Sequence, residues 1–164
     1  MFSANFFGEL RRMDRLSITV PCDLRYRDAV GALIRHVCQR LEQQGAVGSL
    51  GFQVVSAFNE AFNNLVQYAY RPEPGVVDVV VELRPVELVI ELQDSGRTFE
   101  FDGVESPDLL HDLPESGLGI FIMRSCMSDV TYEPGASGQK NRLRMTRRLD
   151  GDPGTDVQGT SDDA

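Results

Sequence analysis

The run Val86-Glu87-Leu88-Val89-Ile90-Glu91-Leu92-Gln93-Asp94 constrains this chain more than any other stretch. A strand period of two puts Val86, Leu88, Ile90, Leu92 and Asp94 on one face, so four core-facing apolar side chains end, in register, on a carboxylate. Burying that carboxylate is costly unless donors meet it. Ser95-Gly96 follows at once and lets the backbone turn sharply. The β-rich run Val76–Leu83 precedes it, separated only by Arg84-Pro85, which predicts a hairpin.

The flanking segments predict what covers this hairpin. Leu16–Val20 alternates as a strand and stops at Pro21. From Tyr26 to Gln44, Ala29, Val30, Leu33, Ile34, Val37, Cys38 and Leu41 recur at helical spacing, with Gly45 as the stop. A second helix is expected over Phe52–Tyr70, with Val54, Val55, Phe58, Ala61, Phe62, Leu65, Val66 and Ala69 on one stripe, broken by Arg71-Pro72-Glu73-Pro74-Gly75. Ser95–Ser116 reads as a long loop, Gly117–Met127 as a helix, and Asp129–Glu133 and Arg142–Leu149 as strands. This order predicts an α/β (α+β) two-layer sandwich, with one mixed, mostly antiparallel sheet and three helices on one face.

Composition narrows the function classes. At 164 residues and 41% apolar content, one globular domain folds without disulfides or a structural metal. Lys plus Arg is 16 against 25 for Asp plus Glu, so direct nucleic-acid binding is not expected. No apolar run is long enough to span a bilayer, and MFSANFFGELRRMDRL lacks signal-peptide features. Cys22, Cys38 and Cys126 form no CxxC pair and fit reduced thiols, so a cytoplasmic setting is expected. Residues 150–164 hold five Asp and no basic residue, and read as a disordered acidic tail. The expected division is therefore an N-terminal extension over 1–14, the domain over 15–149, and the tail.

Three places break local rules, and such breaks mark function. Asp94, at a strand end, suits a ligand amino group such as the adenine N6; an Asp capping an ordinary turn would read the same way. In Ala57-Phe58-Asn59-Glu60-Ala61-Phe62-Asn63-Asn64, Glu60 and Asn64 lie one turn apart on one helix face. Asn64 borders small Ala57 and Ala61, and its amide oxygen fits a Mg²⁺ shell completed by phosphates and water, or simply a solvated face. Glu115-Ser116-Gly117-Leu118-Gly119-Ile120 opens a helix, where backbone N–H groups can bind phosphate, although a loop running into a helix also needs glycine.

In this order and spacing the three segments resemble the nucleotide-binding domain of the GHKL ATPase superfamily. More closely, they resemble the anti-sigma factor serine/threonine-protein kinases of partner-switching systems. Glu60-Ala61-Phe62-Asn63-Asn64-Leu65-Val66-Gln67-Tyr68-Ala69-Tyr70 matches the N box, Asp94-Ser95-Gly96-Arg97-Thr98-Phe99 the G1 box, and Glu115 to Gly119 the G2 box. The resemblance implies the Bergerat ATP-binding fold of the histidine-kinase-like ATPase domain, with ATP and Mg²⁺ as cofactors. It implies that Asn64 coordinates Mg²⁺, Asp94 recognises adenine at the Gly96 turn, and Ser116, Gly117, Leu118 and Gly119 approach the phosphates. Glu60 is then the general base toward a serine hydroxyl, and Ser95–Ser116 includes a lid. The partners implied are a sigma factor and a STAS-domain anti-anti-sigma factor carrying the phosphoacceptor serine, with the kinase itself a homodimer.

The chain departs from the family pattern at Tyr68, where His is usual, and at Ser116, where Gly is frequent. Lys140-Asn141 stands where Gly-Thr is common, so a phosphate-contacting hydroxyl is missing and the Asn141 amide or Lys140 charge is left to compensate. These departures keep open an alternative, a nucleotide-dependent partner-binding switch without catalysis. A detached histidine-kinase core would need a phosphoacceptor, and His36 lacks the acidic neighbour of that motif while His111 falls in the lid.

Overall fold

A computed structural model describes residues 14–46, 48–69, 75–98, 101 and 117–150 of the chain. In it the strand–turn–strand core closes as expected, but the turn is one residue later. β2 (Val76–Leu83) and β3 (Glu87–Asp94) pair antiparallel from Leu83 opposite Leu88 to Val77 opposite Asp94. Arg84 and Glu87 exchange backbone hydrogen bonds of 2.9 and 3.4 Å around Pro85-Val86. Val86, expected on the core face, is therefore a turn residue and 39% exposed. Proline lacks the N–H needed to continue a ladder, so the turn forms around it.

β1 (Asp14–Pro21), β4 (Asp129–Glu133) and β5 (Asn141–Arg148) complete a five-stranded sheet in the order β1-β2-β3-β5-β4. Each of its pairings is antiparallel, so the mixed component expected from the sequence does not occur among the described residues. The helices α1 (Leu24–Gln43), α2 (Leu50–Asn64) and α3 (Leu118–Cys126) supply the second layer. Ile34, Cys38, Val54, Phe58, Phe62 and Met123 pack with Val79, Ile90, Leu92 and Met145 of the sheet in one core. Burying each large apolar side chain there contributes about 2 kcal/mol. The opposite face of the sheet is laced by ion pairs, Arg142 meeting Glu91 at 3.2 Å and Glu133 at 3.5 Å.

Local chemistry sets the helix ends. α1 starts two residues earlier than its apolar stripe predicts, because the Asp23 carboxylate caps it by accepting the Arg25 N–H at 2.9 Å. The last turn of α1 caps α2 in turn, with Glu42 Oε1 accepting the Gly51 N–H at 2.9 Å. α3 begins after Gly117 at φ 101°, a backbone conformation that strains any other residue. Its C-terminal end faces Arg147, a buried cation on the core side of β5 whose Nη1 donates to the Cys126 carbonyl at 3.4 Å. A positive charge there complements the helix dipole.

α2 does not end where its hydrophobic stripe suggests. After Asn64 it widens into a π-helical turn, Leu65–Ala69, and Tyr70 lies outside the described residues. So do the extension before Asp14, most of the expected lid with His111, Glu115 and Ser116, and the acidic tail after Asp150. Among the described residues no helix is long and apolar enough to cross a membrane. Cys22, Cys38 and Cys126 are free thiols, and burial pushes Cys22 and Cys38 up to about 12.

Candidate functional site

The site is assembled along α2. Glu60 and Asn64, four residues apart, are half-buried on one side of the helix, and α3 brings Gly119 against both. A Cβ on Gly119 would stand 2.9 Å from Glu60 Oε2 and 3.7 Å from the Asn64 amide atoms. Glycine at 119 is thus what lets the N-terminal turn of α3 reach the carboxylate and amide. The adjacent Asn63 faces α1 instead. Its Oδ1 accepts from Arg27 Nη1 of that helix at 3.0 Å, which fixes the rotation of α2. Leu118, between the two glycines, is 40% exposed.

About one turn beyond Asn64, the π-helical turn presents Ala69 to the segment following β3. The Ala69 carbonyl accepts the Arg97 N–H at 3.0 Å. Gly96 packs so closely that a Cβ there would lie 2.6 Å from that carbonyl oxygen. The π-turn therefore joins the Glu60–Asn64 segment to Asp94, and single π-turns recur at functional sites. Tyr68, on the same turn, is 51% exposed.

Asp94 is 2% exposed, and its Oδ1 accepts the Gly96 N–H at 2.7 Å and Asn141 Nδ2 at 3.1 Å. Burial raises its carboxyl above the ordinary range, while those two donors and the Lys140 charge pull it back down. Asn141 stands directly opposite Asp94 in the β3–β5 register. The sequence alone leaves its amide to compensate for a lost phosphate contact. In the fold its Nδ2 donates instead to Asp94 Oδ1 and, at 3.0 Å, to the Gly96 carbonyl, while its Oδ1 accepts the Gly135 N–H at 2.9 Å. Lys140, the other residue left to compensate, pairs with Asp78. A signal for Asn141 existed: it continues the core-facing period of Leu143 and Met145, the same anomaly that singled out Asp94.

The structure thus gathers Glu60, Asn64 and Gly119 into one group, and Asp94, Gly96 and Asn141 into a second, linked through Ala69. Gly117 caps α3 beside the first group; Ser116 lies outside the described residues. Among the described residues no three His, Cys, Asp or Glu side chains cluster as a metal cage. The Asn64 amide oxygen, beside the closely packed Gly119, fits a Mg²⁺ that takes its remaining ligands from phosphate and water.

A family model of the histidine kinase-like ATPase domain matches residues 25–147. The chain is 26% identical over 134 residues to the serine-protein kinase RsbW of Bacillus cereus (strain B4264), covering 74% of this chain and 78% of the relative. The same figures hold for the serine-protein kinase RsbW of Bacillus anthracis (strain CDC 684 / NRRL 3495). Among solved structures, the Acinetobacter baumannii histidine kinase AdeS aligns with a TM-score of 0.44 and 12% identity, over 89% of this chain and 73% of that one. Because the family match runs from the first turn of α1 to the end of β5, across every element that carries the two residue groups, the chain belongs to the histidine kinase-like ATPase domain family.

Proposed function

We propose that the protein is an ATP-dependent protein serine kinase and anti-sigma factor. It phosphorylates a serine of a STAS-type anti-anti-sigma protein and sequesters a sigma factor, acting in the cytoplasm as a homodimer. The observation that carries the reading is the close approach of Gly119 to both Glu60 and Asn64, with the turn after Asp94 tied through Gly96 and Arg97 to Ala69 on the continuation of the same helix. The serine-protein kinase relatives support it.

In this reading the Asp94 carboxylate accepts the exocyclic amino group of adenine. Backbone N–H groups of the first turn of α3 meet the phosphates, where the helix dipole favours negative charge. Asn64 offers its amide oxygen to Mg²⁺, which when bound neutralises charge on the phosphates. Glu60 accepts the serine proton as the seryl oxygen bonds to the γ-phosphorus and ADP leaves. An ordinary carboxylate is a weak base, but phosphoryl transfer asks mainly for positioning and charge neutralisation.

Incubating the full chain with Mg·ATP and a STAS-domain partner, followed by intact mass, tests the reading. One added phosphate on the partner is expected, lost in Glu60→Gln while nucleotide binding persists. Partner affinity that tracks ATP with no phosphate transferred would favour the non-catalytic switch, to which the exposed Tyr68 in place of histidine already points. An unchanged melting temperature under saturating Mg·ATP would overturn both, because a ligand bound only by the folded state must raise it.

A further inference from the structure

The helical layer stops short of one corner of the sheet. Along the core-facing side of β1, Val20 is 7% exposed, Ile18 half-buried and Leu16 42% exposed, so cover is lost toward the start of the strand. There a groove of about 380 Å³ opens between β1, the end of β2 and the C-terminal half of α1. Leu16, Val37, Leu41, Val81 and Leu83 give it an apolar floor. Arg15, His36 and Arg40 stand exposed around the rim. β1 is also an edge strand, paired with β2 alone among the described residues. An apolar corner beside an open strand edge is costly to leave in water, and natural sheets cover such edges.

We propose that residues 1–13 of the same chain fill this groove, with Phe6, Phe7 and Leu10 as the anchoring side chains. Connectivity delivers the segment there, because it runs directly into Asp14 and Arg15, which line the groove. Phe6, Phe7 and Leu10 stand eight, seven and four residues before Asp14, a reach of at most about 28 Å that keeps their effective concentration at the groove high. Composition matches the floor: Phe2, Phe6, Phe7 and Leu10 fall in a stretch of ten residues with no cation. Glu9 brings an anion to the basic rim, and Arg11 and Arg12 come only where the chain runs on into β1.

The acidic segment 151–164 is a poorer match. It leaves β5 at the end opposite Glu87, beside the β2–β3 hairpin and so at the same end of the sheet, and its four Asp suit the rim. Apart from Pro153, Val157 is its one apolar side chain beyond alanine, too little to cover the floor. A second copy of the chain carries the same Phe6, Phe7 and Leu10, so the experiment must separate contacts within one chain from contacts between two.

The test is a methyl–aromatic NOE measurement on the full chain, with Ile, Leu and Val methyls and Phe rings labelled. Cross-peaks from the Phe6 and Phe7 rings to the Val37, Leu41, Val81 or Leu83 methyls are expected, unchanged over a roughly tenfold dilution. The double variant Phe6→Ser, Phe7→Ser alters no residue of the packed core, so folding is retained. It is expected to lose those cross-peaks and to shift the groove methyls, while the Val54 and Ile90 methyls keep their positions. Absence of the cross-peaks in wild type, with groove methyls unmoved in the variant, would overturn the proposal. So would cross-peaks that fade on dilution, or that appear when methyl-labelled chains are mixed with ring-labelled chains, since the occupant is then a second copy. Cross-peaks from the Val157 methyls in place of the rings would overturn it in favour of the acidic segment.

Discussion

Asp94, the carboxylate proposed to meet the base, shows how a buried acid works against the fold that holds it. Because burial raises its pKa, the folded state holds the proton more firmly than the unfolded chain, and the stability this confers is lost as pH rises through the folded value. Asp94→Asn keeps Oδ1 as an acceptor for Gly96 and Asn141 while removing the buried charge. It is expected to melt a few degrees higher at pH 7, about 2–4 °C, yet to lose ATP binding at least a hundredfold, on the order of two decades of affinity. Calorimetry and a melting curve on one sample check both. The two close-approach glycines should behave differently. Gly119→Ala crowds the far end of the Glu60 side chain, which can swing aside, and meets the Asn64 amide only at ordinary contact distance, so stability should hold. Phosphoryl transfer to a STAS partner should then fall by roughly a hundredfold as the proposed base is displaced. Gly96→Ala meets the Ala69 carbonyl, which is backbone, and should cost about 1–3 kcal/mol in denaturant unfolding. Asp94 stands out in the sequence because a carboxylate continues an apolar period, and Glu60 and Asn64 because they share one helix face beside small residues. Asn141 breaks its period too, but its partner is across a strand pairing, so its hydrogen bond to Asp94 was not legible.

At the scale of elements, periodicity located the strands and α-helices of the described residues, because one-sided burial writes a repeat of two or 3.6 into the sequence. Caps refined the ends. Asp23 draws the start of α1 back to Leu24, and Glu42 reaches nine positions along the chain to the Gly51 N–H. Glu42→Ala removes that acceptor and should destabilise the protein by about 1 kcal/mol, visible as a lower urea midpoint at unchanged slope. The π-turn over Leu65–Ala69 has no counterpart in periodicity. It exists where Ala69 must meet Gly96 and Arg97, a contact made only once β3 is docked. The hairpin turn moved for the opposite, local reason: Pro85 cannot donate to the ladder.

Across the whole molecule, one acid-sensitive tie joins strands distant in sequence. Asp78 of β2 accepts from Thr19 of β1 and from Lys140 just before β5, and these partners, Lys140 first, hold its carboxyl below the ordinary range. A carboxyl lowered in the folded state stabilises above its unfolded pKa, and that stability is lost as pH falls through the folded value. Asp78→Asn should therefore melt lower than wild type at pH 7, with the gap closing on acidification below about pH 4. A gap that stays constant with pH would assign the tie to packing instead. The sequence by itself determined the two-layer architecture, the three helices and the motif residues, since burial of one face and backbone chemistry are properties of neighbouring positions. Tertiary structure alone decided that the described strands all pair antiparallel, that α3 delivers Gly119 to Glu60 and Asn64, and that Asn141 meets Asp94. Those are distances between residues far apart along the chain, and only the closed sheet with its packed helices makes them short.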